Sequence, residues 1–299
     1  MAIKTTLVTG GAGFIGSHLV DRLVGTGRRV VVLDDLSTGL PGNLAAHDGR
    51  VDLQVGSVAD PEACRRAAAG VDEVFHLASR VSVVESIEEP DLDRDVVLGG
   101  TRNVLQAASE HPGSRVVLAS SCSVYGDAPP PIPESAPTDP QSPYAAFKLE
   151  AEEACRASGV STVCPRFFNV YGPRQRHDSP YSGVIAIFRE RARAGIAPTI
   201  FGDGLQTRDF VHVSDVVDCL LGCMENRAVE DGRPLNVGTG RATTVLELTR
   251  LLGCLEPRLE PARDGEIRHS MADVGLAMET LGFRAAIEIA EGLATLDVG

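Results

Sequence analysis

No stretch of this 299-residue chain approaches the roughly 20 consecutive apolar residues of a membrane span. No secretory leader precedes its first strand-like segment. Membrane partners are therefore not expected. Basic charge is also short: 28 Lys and Arg face 41 Asp and Glu, a net charge of −13, which argues against nucleic acid or anionic lipid. A phosphorylated ligand would need a local cluster of arginines. Paired cysteine spacing is missing too. The seven cysteines are an odd number, and Cys219 and Cys223 stand one helical turn apart in an apolar stretch, which reads as buried thiols rather than metal ligands. That usage suits a reducing cytoplasm. Internal repeats and long low-complexity segments are absent; the proline-rich stretch Ala128 to Pro143 reads as an ordered loop over a site. What remains is a globular composition, 43% hydrophobic and 23% charged, long enough for roughly two domains.

The chain opens on an apolar strand that runs straight into glycines, Thr9-Gly10-Gly11-Ala12-Gly13-Phe14-Ile15-Gly16. A helical pattern follows, and a second strand, Val30 to Leu33, ends in Asp34 and Asp35. Strand, glycine turn, helix, strand and acid in that order specify a dinucleotide site. Gly10 or Gly11 permits a turn too tight for a Cβ, Gly13 lets backbone approach a pyrophosphate, and Gly16 lets helix pack close to strand. The helix N-terminus offers free N–H groups to the phosphates. Asp34, eighteen residues past Gly16, is suited to accept hydrogen bonds from ribose hydroxyls, which favours NAD over NADP.

Strands and helices alternate through the first half: strands at 51–55, 73–77, 115–119 and 161–167, helices at 60–69, 93–110 and 144–157. That alternation predicts an α/β fold of Rossmann type, a doubly wound parallel sheet covered on both faces. A smaller α/β lobe should follow. The expected division is 1–168 for the dinucleotide domain, with 211–238 returning to it, and 169–299 for the substrate lobe. Ligands of such sheets lie beyond the carboxyl ends of the strands, which here carry the Gly10 turn, Asp34, Leu77-Ala78-Ser79, Ser120-Ser121 and Arg166 to Asn169. Tyr144 and Lys148, four apart, share one face of one helix. A phenol is a poor base at neutral pH, and a neighbouring ammonium with a cationic nicotinamide favours its phenolate. Lys148 also has reach to the nicotinamide ribose, and Ser121 to the same substrate hydroxyl as Tyr144.

With these motifs the chain resembles the extended short-chain dehydrogenase/reductases that act on nucleotide sugars, most closely those like UDP-glucose 4-epimerase. Further carriers are Asp34 to Gly39, His76-Leu-Ala78, Ser120 to Gly126, Ser142 to Lys148 and Pro165 to Arg174. The second lobe adds Phe201 to Phe210, Asn236 to Gly240 and Arg263 to Glu266. The resemblance implies NAD as cofactor, contacted by Gly10, Gly13, Phe14, Ile15, Gly16, Asp34, Asp35, Ser37, Thr38, Gly39, Ser57, Val58, Leu77, Ala78, Ser79, Ser120, Tyr144 and Lys148. It implies a catalytic trio of Ser121, Tyr144 and Lys148. For a nucleotide sugar it implies contacts from Ser82, Ser121, Cys122, Ser123, Tyr144 and Asn169, from Thr199 and Phe201 at the base, and from Glu266 at the ribose. Arg208 and Arg263 have the chemistry to clamp a diphosphate. A homodimer through the helices at 93–110 and 144–157 follows by analogy alone. Two positions depart from the family: Gly56-Ser57-Val58 lacks its usual acid, and Val97-Leu98-Gly99 lacks its usual asparagine. Each departure removes a polar cofactor contact.

The shared first step makes a 4-keto sugar. Epimerisation needs nothing beyond the trio and a pocket loose enough for the sugar to turn over. Elimination needs a second acid–base pair, and Cys122-Ser123 stands where the family's 4,6-dehydratases carry Asp-Glu. A small Ser270, where hexose-restricted epimerases tend to have a bulky aromatic, leaves room for an N-acetyl group. The expected activity is thus NAD-dependent 4-epimerisation of a UDP-hexose or UDP-N-acetylhexosamine. Three alternatives stay open: a dehydratase using Cys122, a UDP-glucuronate 4-epimerase using Arg174 and Arg176, and a non-catalytic dinucleotide sensor.

Overall fold

A computed structural model describes residues 4–47, 49–176, 183–262 and 267–298. The chain forms two compact units, one of Met1–Val124, Pro140–Arg166 and Val217–Leu235, the other of Tyr125–Asp139, Phe167–Val216 and Asn236–Gly299.

The first unit begins with β1 (Thr5–Thr9), α1 (Phe14–Gly25), β2 (Arg29–Asp34), β3 (Val51–Val55), α2 (Pro61–Ala67) and β4 (Glu73–His76). It continues through α3 (Val83–Glu88), α4 (Pro90–Arg94), α5 (Gly100–Ser109), β5 (Arg115–Leu118), β6 (Ser120–Ser121), α6 (Pro143–Ala157) and β7 (Ser161–Phe167). The second unit then supplies β8 (Asn169–Tyr171), α7 (Val184–Arg193), β9 (Thr199–Phe201), β10 (Thr207–Arg208) and β11 (Phe210–His212). The chain returns to the first unit within α8 (Val213–Glu225) and leaves it within β12 (Arg233–Val237). β13 (Thr243–Thr244), α9 (Val245–Leu251), β14 (Arg258–Glu260), α10 (Gly275–Leu281) and α11 (Ile289–Ala294) complete the second unit.

One eight-stranded sheet runs in the order β12-β7-β5-β4-β1-β2-β3, with β6 on β7. β1 pairs in parallel with β2 and β4, β2 with β3, β4 with β5, and β5 with β7. Because helices cover both faces, β2, β4 and β5 are buried as continuous runs rather than in alternation. Leu7, Leu33, Val74 and Val116 pack there with Ala63 and Ala67 of α2 and Val104 and Leu105 of α5. The strand order reverses between β1 and β4, so ligands are expected past the carboxyl ends of these two strands.

The long helix expected over 93–110 is interrupted. α4 ends at Arg94, residues 95–99 form a wide π turn, and α5 starts at Gly100. A Cβ on Gly100 would stand 2.6 Å from the Val58 side chain, so glycine is needed where the helix resumes. The expected cut near 168 is also more complex. Tyr125–Asp139 belongs to the second unit, where the Tyr125 hydroxyl donates to Asn236 Oδ1 at 2.7 Å.

The second unit has no long sheet among its described residues. β11 pairs with β8, β14 with β9, and β10 with β13, each as two short strands. Tyr171, Ile185, Phe188, Ile200, Phe210, Leu248 and Leu293 form its core. Among the described residues no helix is long and apolar enough to cross a membrane.

Candidate active site

The glycine turn is shaped by contacts that leave no space for side chains. Gly10 sits at φ +70°, and a Cβ there would meet the Ala78 backbone nitrogen at 2.8 Å. A Cβ on Gly16 would run into the Gly10 carbonyl oxygen. α1 starts at Gly13 with no side-chain cap, whereas Asp60, Ser82 and Ser142 cap α2, α3 and α6 through their side chains. The first amides of α1 are thus left for an anion. Asp34 is buried at the end of β2, accepting from the Ala12 amide at 2.9 Å and the Leu36 amide at 2.9 Å. Those two bonds occupy half of a carboxylate's acceptor sites, so the group can still receive ribose hydroxyls. Gly39 lies against it, where a Cβ would stand 2.5 Å from Asp34 Oδ1. A glycine cradle, an uncapped helix start and an acid at the neighbouring strand end fit a dinucleotide.

The expected catalytic trio is brought together at the end of β6 and on α6. Ser142 caps that helix through the Ala145 amide, so Tyr144 and Lys148 fall in its first two turns on its buried face. Ser121 hydrogen-bonds the Tyr144 phenol. Lys148 Nζ donates to the Ala119 carbonyl at 2.8 Å and lies 5.9 Å from the centre of the Tyr144 ring. The electrostatics differ from the sequence expectation. Burial pushes the Tyr144 phenol up to about 12, only partly offset by the Ser121 hydrogen bond. Burial likewise pushes Lys148 down to about 8. In the protein alone, desolvation is the largest influence on both groups.

The other residues expected at the site have local partners of their own. Leu77, Ala78 and Ser79 form the turn against Gly10, with the Ala78 amide donating to Thr9 Oγ1 at 3.1 Å. Phe14 and Ile15 occupy the half-buried first turn of α1. Asp35 is exposed and closes a local turn, accepting from the Ser37 amide and hydroxyl; Thr38 follows, also exposed. Ser57 accepts from the Ala59 amide. Val58 is buried and takes the Asn103 side chain on its carbonyl. Asp60, in the turn that lacks the family's acid, is the α2 cap. The Ser82 hydroxyl accepts from the Glu85 amide as a helix cap. Cys122 is half-buried, and the Ser123 hydroxyl is buried with no hydrogen-bond partner among the described residues.

Two residues at these strand ends are tied to Glu152. Ser120 donates its hydroxyl to Glu152 Oε1 at 2.5 Å, which leaves its oxygen to act as an acceptor. Arg166 is 3% exposed and forms a bidentate pair with Glu152 at 2.8 and 2.7 Å. Glu152 was readable in principle, since it continues the four-residue register of Tyr144 and Lys148 along α6.

The second unit carries the remaining residues. Asn169 pairs with Phe210 in the β8–β11 ladder, and its amide donates to the Asp209 carbonyl. Thr199 and Phe201 are half-buried ends of β9. Arg208 is half-buried on β10, its Nη1 donating to the Thr207 carbonyl at 2.8 Å. The buried Ser270 joins the same strand through its amide. Arg263 and Glu266 lie outside the described residues.

Residues 6–238 match the family model for NAD dependent epimerases and dehydratases, and the chain belongs to that family. Among similar proteins, the UDP-glucose 4-epimerase of Mycolicibacterium smegmatis is 41% identical over 305 residues, spanning 97% of this chain and 96% of that one. The structure of a Thermotoga maritima UDP-glucose 4-epimerase with UDP-glucose superposes with a TM-score of 0.91 at 37% identity, covering 97% of this chain and 96% of that one. A UDP-N-acetylglucosamine 4-epimerase from Methanobrevibacter ruminantium, in complex with UDP-N-acetylmuramic acid, gives a TM-score of 0.92 at 32% identity over 99% and 97%.

Proposed function

We propose that this protein is an NAD-dependent nucleotide-sugar 4-epimerase acting on a UDP-hexose or UDP-N-acetylhexosamine. The observation that carries the reading is the Ser121–Tyr144–Lys148 cluster, its phenol and ammonium buried, in a unit that also holds the dinucleotide turn, with Cys122-Ser123 rather than a second acid–base pair after Ser121. NAD, when bound, would supply the hydride acceptor and donor that oxidation at the sugar C4 and its reversal require. Tyr144 takes the proton of the C4 hydroxyl and gives it back to the oxygen of the turned-over sugar. Ser121 holds that oxygen, and Lys148 supplies positive charge to the phenolate. The Ser123 hydroxyl is available to the sugar. Gly10, Gly13 and Gly16 accommodate the pyrophosphate, and Asp34 takes the adenosine ribose. Elimination lacks its base, because neither a serine nor a neutral thiol abstracts a proton at C5 unaided.

Ser270 and the N-acetyl sugar epimerase relative support a pocket that admits either hexose type. A homodimer through α5 and α6 is supported by the groove between them, lined by Arg102, Leu105, Gln106, Glu150, Glu153 and Ala154. Seven free cysteines, five of them buried, support a cytoplasmic location.

The test is incubation of purified protein with UDP-glucose and UDP-N-acetylglucosamine, read by proton NMR. The C4 epimer of at least one is expected, and Tyr144→Phe should slow its formation about 10³-fold with cofactor still bound. No epimer from either sugar, or full activity in the variant, sinks the proposal.

A further inference from the structure

α4 carries a charge that the proposed chemistry does not use. The Asp93 side chain is fully buried, and neither carboxylate oxygen has a hydrogen-bond partner among the described residues. Arg80 Nε lies 3.7 Å from Oδ1, within ion-pair range but too long for a hydrogen bond. Arg80 is itself engaged by Glu89 at 2.7 Å and lies 3.6 Å from Glu85. A buried carboxylate with no donor is costly unless a cation stands close by. α4 packs against α6, whose buried cation is Lys148. That ammonium has three donors, and one of them reaches the Ala119 carbonyl.

We propose that Asp93 is the counter-ion that keeps Lys148 protonated in its buried setting, making it a positioning residue for the Tyr144–Lys148 pair. Its importance for turnover rests on the epimerase reading; its effect on the charge of Lys148 does not. Burial drives Lys148 down to about 8, and Asp93 is the largest charge holding it up, ahead of Glu152. Asp93 is raised by burial and lowered by Arg80 and Lys148, with Glu85 opposing. The charged or titratable groups around the pair are Arg80 after β4, His76 on β4, Glu85 on α3, Tyr144 and Glu152 on α6, and Cys164 on β7. His76 carries no charge to compete, since burial pushes it down to about 3. Removing the Asp93 charge lowers the pH at which Lys148 loses its proton. A neutral lysine leaves the phenolate without its cation, so turnover fails at a lower pH.

The experiment is direct because Lys4 and Lys148 are the only lysines in the chain. Lysine labelled with ¹³C at Cε gives two side-chain signals, assigned with Lys4→Arg and titrated in the purified protein with its cofactor. Asp93→Asn should reduce the proton affinity of Lys148 about tenfold, one pH unit. The alkaline limb of kcat/KM should move to lower pH by the same amount. A midpoint that moves by less than about threefold, or a uniform loss of activity with an unshifted profile, overturns the proposal. Should Asp93→Asn fail to fold, the smaller Asp93→Ser, which also removes the charge, decides: its Lys148 midpoint must fall as well, and one that stays or rises overturns the proposal. A shifted midpoint in a protein that makes no epimer would sink the activity and leave the counter-ion. An unshifted midpoint in an active enzyme would do the reverse.

Discussion

The two units solve the same backbone problem differently. In the first, buried N–H and C=O groups are paired along one mostly parallel sheet of eight strands. In the second, strands of two or three residues leave most of the chain in loops, and buried side chains take over. Asp209 accepts from the Thr239 amide at 2.8 Å, the Thr239 hydroxyl at 2.6 Å, and the Gly240 and Ala272 amides at 3.0 and 3.1 Å. Asn236 accepts from Tyr125 and donates to the Ile132 and Asp273 carbonyls. Asp215 accepts from the Ala286 and Ile287 amides. Ladder stability is distributed over many bonds, whereas hub stability is concentrated in single residues.

That contrast breaks most sharply at Asp209. Asp209→Ala leaves three amides unpaired, that of Ala272 buried and those of Thr239 and Gly240 part-buried, and should cost roughly 3 kcal/mol in urea unfolding. Hydrogen exchange should rise in the second unit while the first stays protected. Exchange rising equally in both units would end the distinction. A concentrated point of the first unit is Glu152, and Glu152→Gln weakens the pairing of a buried guanidinium at a cost of about 3 kcal/mol. The exchange rise should be confined to β6, α6 and β7. A loss spread across the second unit would count against ladder-based independence.

The smallest expected effect is a pH dependence in the first unit. His76 is buried between Thr9 and Thr101 hydroxyls and lies at about 3 rather than near 6.5. The unfolded chain binds the extra proton between those values, so stability is full above about 6.5 and falls as pH drops toward 3. Between pH 6.5 and 5 the group should cost roughly 2 kcal/mol. His76→Gln should flatten that fall, and an unchanged slope would remove His76 as its source.

Legibility followed the same division. β2, β4 and β5 were readable because strands buried on both faces are continuous apolar runs, and the Gly10 turn because its glycines follow a strand and open a helix at fixed spacing. The four-residue spacing brought Tyr144 and Lys148 to one helix face without tertiary information. The pairing of β9 with β14 was not readable, since about sixty residues separate the partners and neither has a pattern of its own. Nor was the break at 95–99, after which α5 restarts at Gly100 with the distant Val58 packed against it. Arg166 stood among the strand-end residues, yet its partner Glu152 is on a helix that the strand alone does not reveal.

The sequence by itself determined the dinucleotide turn, the trio on and before α6, and the family, because these depend on local spacing and residue chemistry. Only the tertiary structure decided the charge states. Whether Tyr144 and Lys148 lie near their ordinary values depends on how much water the surrounding elements exclude, and on a carboxylate from α4 fifty-five residues before Lys148. Desolvation is a property of the packed neighbourhood, and no spacing along the chain encodes it.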